Sequence, residues 1–219
     1  MQIERIQIHG EGLDVPAIAV TPENFRASVA VIHGYGGNKE EMLGLAWRIA
    51  EAGFRAVSID LRGHGGHPFR LDGEIMHDVE AAIAFLRQEG PVAAVGHSLG
   101  GRLALHSTAD FVIGISPAIR KSFSEQTRKH IRAMRSHRVR EISDHILFDV
   151  LESLPEWSVC DKGTLIAGER DVPEIVTGCA ELAKNGADLT VIPCALHADI
   201  FNQEECFAAV VKRLEERFR

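Results

Sequence analysis

Hydrophobic and polar positions alternate along this chain in two distinct rhythms. Short, nearly continuous apolar runs recur at 28–33, 54–59, 92–96, 111–115, 164–167 and 189–192. Runs of this length, rich in Val, Ile and Ala, suit strands buried on both faces of a parallel sheet. Two earlier segments, 2–8 and 13–20, also read as strands, the second closed by Thr21-Pro22. Between the runs lie stretches with apolar residues three or four apart, at 40–52, 74–89, 99–108, 173–185 and 203–217. In 74–89 the stripe is Ile75, Val79, Ala82, Ile83 and Leu86, and Gly90-Pro91 ends it. Strands alternating with helices in this order predict an α/β fold: a mostly parallel sheet of eight strands with helices on both faces, a three-layer sandwich.

Residues 117–157 break the alternation. About forty positions separate two strands there, far more than one crossover helix needs. Ser124–Arg138 and Ile142–Leu154 each carry a helical stripe. The expectation is a single domain over 1–219, with a helical cap inserted at 117–157 over the carboxyl ends of the strands, where open α/β sheets bind ligands.

The length of 219 residues is in keeping with one domain and a sizeable core. A hydrophobic fraction of 45% and a charged fraction of 25% describe an ordinary globular chain and exclude disorder as the dominant state. No run approaches the ~18 apolar residues that span a bilayer, and the first residues lack the pattern of a secretory leader. The reading is a cytoplasmic protein with no integral membrane association, provided no leader has been removed. Cys160, Cys179, Cys194 and Cys206 form no CxxC and no zinc-like cluster, and read as reduced, mostly buried thiols. Neither a metal nor another cofactor is expected.

The net charge of −7 disfavours a general nucleic-acid binder. The charge is uneven, however. Between Arg120 and Arg140 stand eight Lys or Arg and one acid, Glu125. That segment reads either as a solvated helix face or as an electrostatic funnel for an anionic substrate or an acidic lipid surface.

The sharpest chemical signal is Gly96-His97-Ser98-Leu99-Gly100, between an apolar strand and a helical stretch. A G-x-S-x-G turn in that context holds a serine on a tight, strained elbow, with the following helix aiming its first amides at the site. Acyl transfer needs two oxyanion donors. One is the amide after the nucleophile, at Leu99. A second Gly-rich turn, His33-Gly34-Tyr35-Gly36-Gly37, supplies the other, assigned to Tyr35. His33 itself reads as a structural histidine. Asp60-Leu61-Arg62-Gly63-His64-Gly65-Gly66 reads as a structural loop with a local Asp60–Arg62 ion pair. Trp47 and Trp157 read as core or sub-cap residues, and His97 and His106 as packing residues.

The motifs HGYGG, DLRGHGG and GHSLGG, in this order and at these strand ends, resemble the α/β-hydrolase superfamily. The likeness is greatest to its small serine esterase and lysophospholipase-like members. It covers about 28–115 and 162–219, and is weak in 117–157. It implies the chain order Ser…Asp/Glu…His. Asp171, in the loop of Thr164–Pro173, matches the family's acid, with Glu169 and Asp161 as alternatives. His197 is the one histidine after Asp171. The family often carries glycine just before this histidine, and here Cys194-Ala195-Leu196 stand instead. The resemblance implies a carboxylic ester hydrolase acting through an acyl-enzyme on a small-molecule or lipid ester. Thioesterase, amidase, C–C hydrolase or perhydrolase chemistry on the same scaffold, or an idle binding module, are the alternatives. Relatives that open epoxides or displace halides carry a carboxylate in place of the serine.

Overall fold

The computed structural model describes residues 1–10, 12–160 and 162–219. Eight strands form one sheet in the order β1-β2-β4-β3-β5-β6-β7-β8. β1 (Gln2–Gly10), β2 (Leu13–Thr21) and β4 (Arg55–Ile59) pair antiparallel at one edge. β3 (Ser28–Ile32), β4, β5 (Val92–His97), β6 (Phe111–Ile115), β7 (Gly163–Arg170) and β8 (Asp188–Leu196) run parallel. The continuous apolar runs are the central strands: every residue of β3, β5 and β6 is buried. The edge strands β1 and β8 expose most of their positions, which is why their runs are more polar.

Two apolar clusters lie on opposite faces of the sheet. On one face α1 (Leu43–Glu51) and α7 (Glu204–Arg217) bury Leu45, Ile49, Val210 and Leu214. On the other, α2 (Met76–Arg87), α3 (Leu99–Leu105) and α6 (Pro173–Lys184) bury Val79, Ile83, Leu103 and Ile175. This is the three-layer α/β arrangement that the alternation predicts.

The long break carries α4 (Glu125–Arg135) and α5 (Ile146–Ser153). α5 buries Ile146, Leu147, Phe148, Val150 and Leu151, whereas α4 has no fully buried residue. Arg102 of α3 holds this segment at both ends. Its side chain is fully buried and donates to the carbonyl of Ile119 at the start and to those of Leu154 (3.3 Å) and Pro155 (2.6 Å) at the end. Burial lowers its pKa to about 10.

Several local expectations are corrected. Asp60 does not pair with Arg62. Its carboxylate takes Lys39 Nζ at 2.6 Å and the amides of Lys39 and Gly66, while Arg62 pairs with Asp72 and Asp78. The glycine at 65 has φ +47°, and a Cβ there would lie 2.3 Å from the Asp60 carboxylate, so the loop wraps Asp60 inside itself. Trp157 is buried, but Trp47 is 38% exposed and donates to Glu51 on the surface of α1. Of the thiols only Cys179 and Cys206 are buried; Cys160 and Cys194 are exposed.

Candidate active site

The parallel strands β3, β5, β7 and β8 end on the same side of the sheet, and the motif residues follow them directly. Ser98 leaves β5 at φ +55°, ψ −115°, a backbone conformation unusual for a residue with a side chain. Two flanking glycines make the turn sterically open. A Cβ at Gly96 would lie 2.2 Å from the Gly100 carbonyl oxygen, and one at Gly100 would lie 2.4 Å from the His33 carbonyl oxygen. The spacing of the motif is thus a packing requirement between β3, β5 and α3.

His197 follows β8 and Asp171 follows β7. Ser98 Oγ lies 3.0 Å from His197 Nε2, and His197 Nδ1 lies 2.7 Å from Asp171 Oδ1. The network assigns the proton on the ring: Nδ1–H donates to the carboxylate, which leaves Nε2 to accept from the serine. Asp171 Oδ1 also accepts from the Val172 amide at 2.7 Å, and Oδ2 accepts from the Ser116 hydroxyl. Burial pushes the Asp171 carboxyl up, but the donors from His197, Ser116 and Val172 outweigh it and hold it below the ordinary aspartate value.

Glu169 is engaged elsewhere, accepting from the Cys194 amide at 2.8 Å. Asp161 lies outside the described residues. Cys194 has φ +58°, so the place where relatives often use glycine nearby does contain a left-handed residue, three positions before His197. Two side chains support that turn, Glu169 at Cys194 and Asp199, whose Oδ1 accepts from the Leu196 amide at 2.9 Å.

The Leu99 amide opens α3 and has no intrahelical carbonyl to donate to. The Tyr35 amide donates to no protein acceptor among the described residues. The Tyr35 hydroxyl donates to Glu141 Oε1 at 2.7 Å; burial and that carboxylate raise its pKa. His33 is structural: its Nδ1 donates to the Gly34 carbonyl and its Nε2 accepts from the Leu61 amide. Burial lowers its pKa to about 4. No cluster of three metal-ligating side chains occurs among the described residues.

A cavity of about 750 Å³, counting its open mouth, includes Ser98, Leu99, His197 and Tyr35 in its wall. Its opposite wall is apolar: Phe123, Ile131, Leu147, Leu151, Val172 and Ile175, mostly from the 117–157 segment and the start of α6. The cationic segment is largely neutralised, mostly by acids of the 117–157 segment itself and otherwise by Glu181 and Glu41 of the body. Arg120 pairs with Glu181, Arg128 with Glu152, Lys129 with Glu125, Arg132 with Glu141 and Asp144, and Arg138 with Glu41. Arg135 lines the cavity, and no carboxylate among the described residues lies within 4 Å of it.

The sequence patterns do not point to three contributors. Ser116 supports Asp171 from a loop with no motif, at φ +44°. His97 binds the His197 backbone, and Arg102 binds the ends of the inserted segment. For Arg102 one signal exists, a charged residue inside an otherwise apolar helix.

A family model described as "Alpha/beta hydrolase family" matches residues 29–209, which is most of the chain. The chain belongs to the alpha/beta hydrolase family. Among curated relatives, lipase LipV of Mycobacterium tuberculosis is 27% identical over 231 residues, 88% of this chain and 83% of that protein. An uncharacterized abhydrolase domain-containing protein of Dictyostelium discoideum is 34% identical over 86 residues, 36% of this chain. The matched stretch is only 9% of that protein's length. Among solved structures, a thermophilic esterase from Thermogutta terrifontis superposes with a TM-score of 0.72 at 14% identity, covering 100% of both chains. At that identity the likeness speaks for the alpha/beta hydrolase fold. No helix among the described residues is long and apolar enough to cross a membrane.

Proposed function

We propose that the protein is a serine hydrolase that cleaves carboxylic esters through an acyl-enzyme, with Ser98 as nucleophile, His197 as base and Asp171 as its acid partner. The observation that carries this reading is the unbroken chain from Ser98 Oγ to His197 Nε2 (3.0 Å) and from His197 Nδ1 to Asp171 (2.7 Å). A serine hydroxyl is a poor nucleophile near neutral pH. His197 takes its proton as Oγ attacks the ester carbonyl, and the resulting imidazolium is held by the carboxylate of Asp171, whose side chain is shut off from solvent. The amides of Leu99 and Tyr35 bind the oxyanion. Loss of one such donor elsewhere costs about 3–4 kcal/mol of transition-state stabilisation. The imidazolium then protonates the departing alcohol. Water, deprotonated by His197, attacks the acyl-serine and releases the acid and the free hydroxyl.

The 117–157 segment acts in this reading as the cap over the site. Its apolar wall suits an acyl chain, as the lipase name of the mycobacterial relative also suggests. The test is labelling with a fluorophosphonate probe, followed by a p-nitrophenyl ester series of increasing acyl length. Wild type is expected to label at Ser98 and to turn over a subset of chain lengths, and Ser98→Ala to do neither while keeping its melting temperature. Ester turnover retained by Ser98→Ala would refute the assignment.

A further inference from the structure

Arg135 differs from its neighbours on the cap. Arg128 and Arg132 pair with Glu152 and Glu141 of the same segment, and Arg138 pairs with Glu41 of the body, so each of these charges has a partner. Arg135 ends α4 and turns to the cavity that contains Ser98. Its position is fixed from below. A Cβ at Gly36 would lie 2.8 Å from Arg135 Cβ and 3.2 Å from its Cδ, so the stem of the side chain rests on the glycine beside Tyr35. Arg135 also lies near enough to His97 to add, after burial and His197, to the lowering of its pKa to about 3. Glu41 is the one carboxylate among the described cavity-lining residues, and Arg138 neutralises it at 2.8 Å. The cavity therefore combines an apolar wall with one uncompensated cation close to the oxyanion loop.

Resting on the hydrolase reading above, we propose that Arg135 is a specificity residue that binds an anionic group on the substrate, and that the preferred substrates are single-chain esters bearing a phosphate or carboxylate near the scissile bond. A planar guanidinium offers two parallel donors to either anion. A neutral ester of the same chain length leaves that cation without a partner, which is what produces selectivity.

The experiment compares kcat/KM for three esters carrying the acyl chain that the p-nitrophenyl series favours: a monoacylglycerol, the corresponding acylglycerol phosphate and the acyl ester of glycerate. Wild type is expected to prefer at least one anionic ester over the neutral one by tenfold or more, and the two anionic arms tell phosphate from carboxylate. Arg135→Gln should reduce that ratio at least tenfold, mainly through KM, and Arg135→Lys should restore part of it. Lys121→Gln, an exposed cation outside the cavity, should leave the ratio unaltered. A wild-type ratio near one, or an equal loss in Lys121→Gln, overturns the proposal. Turnover of the p-nitrophenyl esters is the separate readout: if it persists without anionic preference, only the role of Arg135 falls, and if it is absent from wild type, the hydrolase reading falls with it.

Discussion

His97 Nε2–H donates to the backbone carbonyl of His197 at 2.8 Å, and the two rings lie 4.9 Å apart, with Phe201 4.6 Å from His97 on the same ring system. The residue before the serine thus anchors the backbone of the residue proposed as its base. His97 is buried, which lowers its pKa to about 3 and keeps the ring neutral, and the bond places its proton on Nε2. The end of β5 and the loop after β8, a hundred positions apart in sequence, are joined by that bond.

Replacing His97 by Ala should therefore lower kcat by about 10- to 100-fold, because a small misplacement of a reacting group has effects of that order. KM should change less. His97→Gln, whose amide reaches a similar point, should recover part of the loss. Steady-state kinetics on a p-nitrophenyl ester, with fluorophosphonate labelling rates alongside, check this. Unchanged rates in His97→Ala would show that the loop holds itself.

Stability should fall with acid well before the carboxylates titrate. Burial lowers the pKa of His33 to about 4, and that of His64 and His97 to about 3. The unfolded chain takes up protons near pH 6.5, whereas the folded one does not until pH 3–4. The stabilisation is therefore complete above about pH 6.5 and is lost as pH falls towards 4, with a slope of up to about 4 kcal/mol per pH unit for three such groups. Asp171, held below its ordinary value, adds a loss at the acid end as pH falls through its folded pKa. Urea melts at pH 7, 6 and 5 measure the slope; a slope of less than one proton would contradict it.

Arg102 should be among the costliest side chains to remove. Arg102→Leu leaves the carbonyls of Ile119, Leu154 and Pro155 without their donor, at about 1–3 kcal/mol for each group that stays buried. The expected sign is destabilisation by at least about 2 kcal/mol, together with faster proteolysis between 117 and 157. Denaturant midpoints and limited proteolysis test the two parts. A variant as stable as wild type would mean that water replaces the guanidinium.

Gly100→Ala should fail differently. The added methyl would meet the His33 and Ile32 carbonyls at 2.4 and 2.5 Å, both backbone atoms that cannot swing aside. Overpacking costs about 1–3 kcal/mol, and more where backbone cannot yield. The soluble yield and melting temperature should drop, and Ser98 labelling should drop in whatever protein survives. A melting temperature within a degree of wild type would refute the close approach of β3 and α3.

Much of this architecture was legible in the residue pattern. Ser28–Ile32 and Phe111–Ile115 are apolar throughout because central parallel strands are covered on both faces, and that burial writes itself into composition. Gly96 and Gly100 bracket Ser98 because backbone comes within contact distance of both, a local constraint that leaves a local signature. Asp171 and His197 could be picked by resemblance and chain order, though nothing local says that their loops meet at 2.7 Å.

What the sequence did not disclose is pairing across distance. Asp60 and Arg62 do not pair because opposite charges two apart on a loop need not face one another; both are buried, Asp60 against Lys39 and Arg62 against Asp72 and Asp78. The eight cations of 120–140 read along the chain as one field, and only the fold paired most of them with acids, of the same segment or of the body, and turned Arg135 towards the cavity. The chain by itself determined which segments become strands and helices and which serine sits on an elbow, since those follow from short-range sterics and from burial. Which carboxylate meets which cation, and which histidine anchors which loop, was decided by tertiary packing, because an ion pair or a hydrogen bond depends on ångström-scale distances that the spacing of residues along a chain does not encode.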